Sequence, residues 1–104
     1  MTDLDLIVGF ERDDGNARKS VDRHGVSQAE AEQMFFREPL LVADDPRHSL
    51  AEPRHHALGR TAEGRLLQAT FTVRGGGTLL RVISVRDMSR KERRIYAQAA
   101  QAHP

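Results

Sequence analysis

The apolar positions change period along the chain, and each change marks an element. Leu4, Leu6, Val8 and Phe10 alternate with Asp3, Asp5, Ile7 and Gly9, the two-residue period of a strand, which predicts one near 5–10. Ala17 and Val21 then give a helical stripe that Asp13 or Asp14 can cap. His24-Gly25-Val26 ends it, with Gly25 in the left-handed conformation and Val26 folding back, so a first helix is predicted over about 14–24. Ser27-Gln28-Ala29-Glu30 reads as a capping box. Ala31, Met34 and Phe35 follow at helical spacing until Pro39 forbids continuation, giving a second helix over about 28–37.

Beyond it the pattern is that of a sheet. Leu40 to Ala43 is a short apolar segment, and Asp44-Asp45-Pro46 with Arg47, His48 and Ser49 predicts a mobile loop to about Pro53. His55 to Gly59, Arg65 to Val73 and Thr78 to Arg86 read as strands. The turn around Ala62-Glu63-Gly64 and the run Arg74-Gly75-Gly76-Gly77 are short enough to make them antiparallel hairpins. In the last strand Leu79, Ile83 and Val85 are expected on one side and Leu80 and Val82 on the other, the pattern of a central strand. Ser89-Arg90-Lys91-Glu92 is a second capping box and opens a helix from 90 to about 101.

Composition narrows the class. A chain of 104 residues, 38% hydrophobic and 30% charged, is expected to form one domain over 1–104, and no apolar run approaches the ~18 residues of a membrane helix. No cysteine is present and the acidic start lacks the basic region of a secretory signal, so a reducing cytoplasm is the expected compartment, with no membrane partner. The net charge of +1 hides an asymmetry: residues 1–52 hold six Lys/Arg against twelve Asp/Glu, a balance of −6, and residues 53–104 hold ten against three, a balance of +7. A basic half suits a phosphate backbone, and plain solvation is the competing reading.

The candidate chemistry follows the arginines. Arg54, Arg81 and Arg86 can meet a phosphate, because guanidinium forks match its oxygens and keep their charge at any working pH; salt bridges to the acidic half are the alternative. His24, His55 and His56 are candidates for acid/base work, since imidazole titrates near neutrality. A zinc site of His48, His55 and His56 is disfavoured, because adjacent strand residues point to opposite faces. Gly75-Gly76-Gly77 lacks the Gly-Lys-Ser/Thr ending of a P-loop. Tyr96 either stacks on a base or packs on the sheet.

These residues, in this order, resemble the BrnT family of type II toxin–antitoxin toxins, small RelE-like ribonucleases. The resemblance rests on Phe10-Glu11 with Asp13, the turn Arg23-His24-Gly25-Val26-Ser27, Phe35 before Pro39-Leu40, Arg54 before Leu58-Gly59, Gly64-Arg65-Leu66-Leu67, and Arg81-Val82-Ile83-Ser84-Val85-Arg86 with Glu92 and Tyr96. It implies an α+β fold, a twisted antiparallel sheet packed against N-terminal helices and a C-terminal helix. It also implies metal-independent RNA cleavage that stops translation, with no cofactor, and a BrnA-like antitoxin through which alone operator DNA is met. On this basis Arg54, Arg81 and Arg86 are the expected electrostatic stabilisers and His24 the acid/base. Arg23 is a phosphate contact, and Glu92 and Tyr96 orient the site or the base. The chain departs from the family at Arg12, Asn16 and Ser20, where tryptophan, lysine and asparagine are usual. Those changes favour an alternative, a decayed toxin that acts only through its antitoxin complex. A general nucleic-acid-binding protein is a third class, lacking a recognition helix or stacking motif here.

Overall fold

Alternation of apolar and polar side chains draws five segments into one sheet among the residues that the computed structural model describes, 6–11, 25–45 and 53–101. The helix expected over 14–24 lies outside those residues. The strands are β1 (Gly9–Phe10), β2 (Leu41–Asp45), β3 (Arg54–Arg60), β4 (Leu66–Arg74) and β5 (Leu79–Asp87), in the spatial order β1-β5-β4-β3-β2. All neighbours pair antiparallel except β1, which runs parallel to β5, so the sheet is mixed and the fold is α+β.

Helix α1 (Gln28–Met34) starts at the expected capping box. Ser27 Oγ accepts from the Glu30 amide at 3.1 Å and Glu30 Oε1 accepts from the Ser27 amide at 3.1 Å. It stops before the predicted end, because the Phe35 and Phe36 amides tighten onto the carbonyls of Glu32 and Gln33, three residues back. Gly25 is left-handed (φ 65°) and Val26 is fully buried, as the turn required. Ala31 and Met34 enter the core with Val26, Ala57, Leu67, Ala69, Phe71, Leu80 and Val85. Gly59 lets the layers approach: a Cβ there would lie 3.1 Å from Leu40 Cδ1 and 3.2 Å from the Met34 carbonyl oxygen.

Three expectations change. Only Gly9 and Phe10 of the first strand join the ladder, and Ile7 and Phe10 pack on the core while Leu6 and Val8 stay exposed. Asp44 and Asp45 belong to β2 rather than to a loop, held by the histidines of β3 opposite. In β5 the pairing slips by one residue: Ser84 faces Thr70 but Val82 faces Phe71, leaving Ile83 as a bulge. Leu80, Val82 and Val85 therefore share the core face, and β5 is flanked on its outer side by β1 only at Leu79 and Leu80.

The second helix, α2 (Arg90–Gln101), crosses the opposite face. Its capping box is formed as expected, with Glu92 N–H donating to Ser89 Oγ at 3.2 Å and Ser89 N–H to Glu92 Oε1 at 2.8 Å. Tyr96 is buried and donates its hydroxyl to the Pro39 carbonyl at 2.6 Å, which anchors the helix to the segment before β2. No helix among the described residues is long and apolar enough to cross a membrane.

Candidate functional site

Residues paired across an antiparallel sheet point to the same side, so the register sorts the side chains into two faces. The core face takes His55, Ala57, Leu67, Ala69, Phe71 and Val85. The other carries three polar rows. Leu58, Gln68 and Arg86 form the first, His56, Thr70 and Ser84 the second, and Thr72 with Arg81 the third, which Arg54 extends by continuation of the β3–β4 register. Strands ~4.8 Å apart and rows ~7 Å apart make this a patch on the order of 10 by 13 Å between Cα atoms. The bulge at Ile83 is what places Arg81 and Arg86, five residues apart, on one side. Under strict alternation they would face opposite ways.

Along one edge of the patch lies a groove of about 450 Å³ under α2. Leu41, Leu58 and Ile95 form its apolar end, and His56, Gln68, Arg86 and Glu92 its polar end. Arg86 grips Glu92 with two parallel bonds, Nη1 to Oε1 at 2.7 Å and Nη2 to Oε2 at 2.9 Å, and Nη1 also reaches the Asp87 carbonyl at 3.1 Å. That fork holds the Glu92 carboxyl down at about 2, helped by the Ser89 amide, and raises the guanidinium above its ordinary value. Both groups stay charged at any working pH.

Beside Arg86 stands His56. Its Nε2 lies 2.8 Å from Asp45 Oδ2, and its Nδ1 lies 3.0 Å from Thr70 Oγ1 and 3.1 Å from Gln68 Nε2. His55 points the other way, stacked at 5.3 Å on Phe71 with Nδ1 2.8 Å from Asp44 Oδ1. The two histidines therefore diverge, as strand geometry requires. Arg65, at the entry to β4, pairs with both Asp87 oxygens at 2.8 and 3.0 Å, with Glu30 at 3.1 Å and with the Gly25 carbonyl at 2.9 Å. It pins α1 to the end of β5 and stays away from the groove.

A family model for the ribonuclease toxin BrnT of type II toxin–antitoxin systems matches residues 13–92. The chain belongs to the BrnT family. Among solved structures it is similar to the ribonuclease toxin BrnT of Brucella abortus, with a TM-score of 0.55 and 21% identity over 79% of this chain and 97% of that one. No curated protein matches it. The α+β fold derived above is thus the BrnT fold, and a type II toxin family implies an antitoxin partner.

Of the residues singled out in this BrnT-family sequence, Arg54, Arg81, Arg86 and Glu92 come together on or beside the polar face. Arg23 and His24 lie outside the described residues, as do Arg12, Asn16 and Ser20. Tyr96 does not line the groove. The residue is 4% exposed, burial pushes its hydroxyl above the ordinary phenol value, and Arg60 is its charged neighbour. The contact between Asp45 and His56 had not been anticipated. The contact is diagonal: the ladder sets Asp45 opposite Arg54 and His56 opposite Ala43, so Asp45 and His56 lie on the same face, two residues out of direct register, and the acidic doublet Asp44-Asp45 facing His55-His56 was its signal in the sequence.

Proposed function

We propose that this chain is an endoribonuclease toxin that cuts RNA on the polar sheet face without a metal ion and is neutralised by a BrnA-like antitoxin. One observation carries the reading: Arg54 and Arg81 stand on one side of the His56 row and Arg86 on the other, all facing the same way. A ribose 2′-hydroxyl attacking its own phosphate needs alignment and donors aimed at the phosphoryl oxygens as charge builds there, and arginines on both sides of the scissile group supply both. Glu92 sets the orientation of Arg86. Of the acid/base candidates His24 keeps its proposed role, and Tyr96 is assigned to anchoring α2 rather than to chemistry. The antitoxin is expected to place an acidic segment over the arginine rows, since opposite charge speeds encounter and fixes orientation, and to bring the toxin to operator DNA.

A second reading, a toxin that has lost cleavage and acts only through its antitoxin complex, is favoured by Arg12, Asn16 and Ser20 in place of the usual tryptophan, lysine and asparagine. Incubating the purified chain with RNA in the presence of EDTA separates the two. The proposed activity yields fragments ending in 2′,3′-cyclic phosphate and 5′-hydroxyl, and induced expression arrests growth unless the neighbouring antitoxin gene is present. Intact RNA and normal growth favour the second reading.

A further inference from the structure

Attack by a 2′-hydroxyl requires a group that removes its proton. His56 projects from β3 into the groove with 41% of its side chain exposed, whereas its partner Asp45 is 8% exposed. A carboxylate only accepts hydrogen bonds, so the 2.8 Å contact puts the ring proton on Nε2 and leaves the Nδ1 lone pair open to donors. Two donors face that lone pair, the Thr70 hydroxyl and the Gln68 amide, at 3.0 and 3.1 Å. One lone pair makes one strong bond. The Thr70 hydroxyl is a rotor that can turn away, and a substrate hydroxyl can take its place.

The neighbouring histidine is the contrast. His55 has the same kind of carboxylate contact, with Asp44, but its side chain is 9% exposed against 41% for His56, and its ring lies tilted against Phe71 on the core face, away from the groove. Only the His56 pair opens into a groove that also holds a phosphate-matching guanidinium. Among the described residues, the charged groups on the face of His56 are Asp45 from β2, Arg54 from β3, Arg81 and Arg86 from β5 and Glu92 from α2. Because Glu92 is engaged in the fork with Arg86, Asp45 is the carboxylate placed to balance an imidazolium.

Building on the ribonuclease reading above, we propose that His56 is the general base of the cleavage and that Asp45 is its positioning residue. The 2′-hydroxyl proton passes to His56 Nδ1 as the O2′–P bond forms. The P–O5′ bond then breaks, and the departing 5′-oxygen takes a proton from solvent or from His24, whose acid/base role is thereby narrowed to that of the acid. Asp45 keeps the proton on Nε2 throughout and stabilises the imidazolium, the part a buried carboxylate plays beside a catalytic histidine.

The test uses the full chain, a short RNA oligonucleotide and single-turnover kinetics across neutral pH. His56→Gln is expected to lower the cleavage rate about 100- to 10,000-fold and to remove the limb of the rate–pH profile that reports the base. Nitrogen NMR of the unmodified chain, with the His56 signal assigned by its loss in His56→Gln, should show the Nε2–H tautomer. Asp45→Asn should shift that tautomer and slow cleavage with little change in KM. If the unmodified chain cleaves and folded His56→Gln cleaves at the same rate, the base assignment is wrong while the ribonuclease reading stands. If the unmodified chain leaves RNA intact, both fall. Should His56→Gln fail to fold, the tautomer of the unmodified chain decides, and an Nδ1–H ring overturns the proposal.

Discussion

On the side facing α1, the sheet presents Ala57, Leu67, Ala69, Phe71, Leu80 and Val85, each no more than 2% exposed. The next residues along the same strands turn the other way and present His56, Gln68, Thr70, Arg81, Ser84 and Arg86. Backbone and hydrogen-bond ladder are common to both faces, so the difference lies wholly in which parity of each strand is apolar. Burial of one face supplies the rigidity that the other requires, since arginines serve as preorganised donors only when the strands that carry them cannot shift. Substitutions on the two faces should accordingly separate stability from cleavage.

Phe71→Ala is the largest expected effect. The ring is fully buried at the centre of the core, and its loss should lower unfolding free energy by about 3–5 kcal/mol in denaturant titration, with cleavage per folded molecule retained. A variant that stays stable would show that the two faces do not divide the work in this way.

Arg81→Met reverses the pattern. Methionine keeps much of the aliphatic stem, so folding should persist, while loss of a donor to the developing oxyanion should slow RNA cleavage on the order of 100- to 1,000-fold, about 2.7–4 kcal/mol. Early thermal unfolding would mark Arg81 as a structural ion-pair residue instead.

Glu92→Gln bears on stability and on the site together, because this carboxylate caps α2 and holds Arg86, both on the polar side of the sheet. Its folded-state value is depressed from 4.5 to about 2, so its stabilisation is complete above pH 4.5 and is lost as the pH falls towards 2. The pair is partly solvated, so the substitution should cost about 1 kcal/mol at neutral pH. Denaturant midpoints of the two proteins should converge across that acid window, and a constant gap would assign the cost to something other than the carboxylate charge.

The smallest effect belongs to Tyr96→Phe. Removing the bond to the Pro39 carbonyl should cost about 0.5–1.5 kcal/mol and leave cleavage unchanged, whereas a large loss of activity at full stability would return Tyr96 to the site.

Local signals carried most of the elements. Both capping boxes, the left-handed Gly25, the three strands after residue 53 and the helix over 90–101 follow from residues within a few positions of one another, whose preferences act before any tertiary contact exists. The site is different in kind. Residue types could nominate Arg54, Arg81 and Arg86, but their common direction depends on a bulge at Ile83, and a bulge is a mismatch between two strands that neither strand encodes alone. The meeting of Asp45 with His56 likewise depends on the register of β2 against β3. A shift of one residue would have sent the two side chains to opposite faces, because side-chain direction alternates at every position. The chain therefore determined by itself which residues are charged, which segments become strands and helices, and where the helices begin. Cross-strand pairing decided which of those charges share a surface.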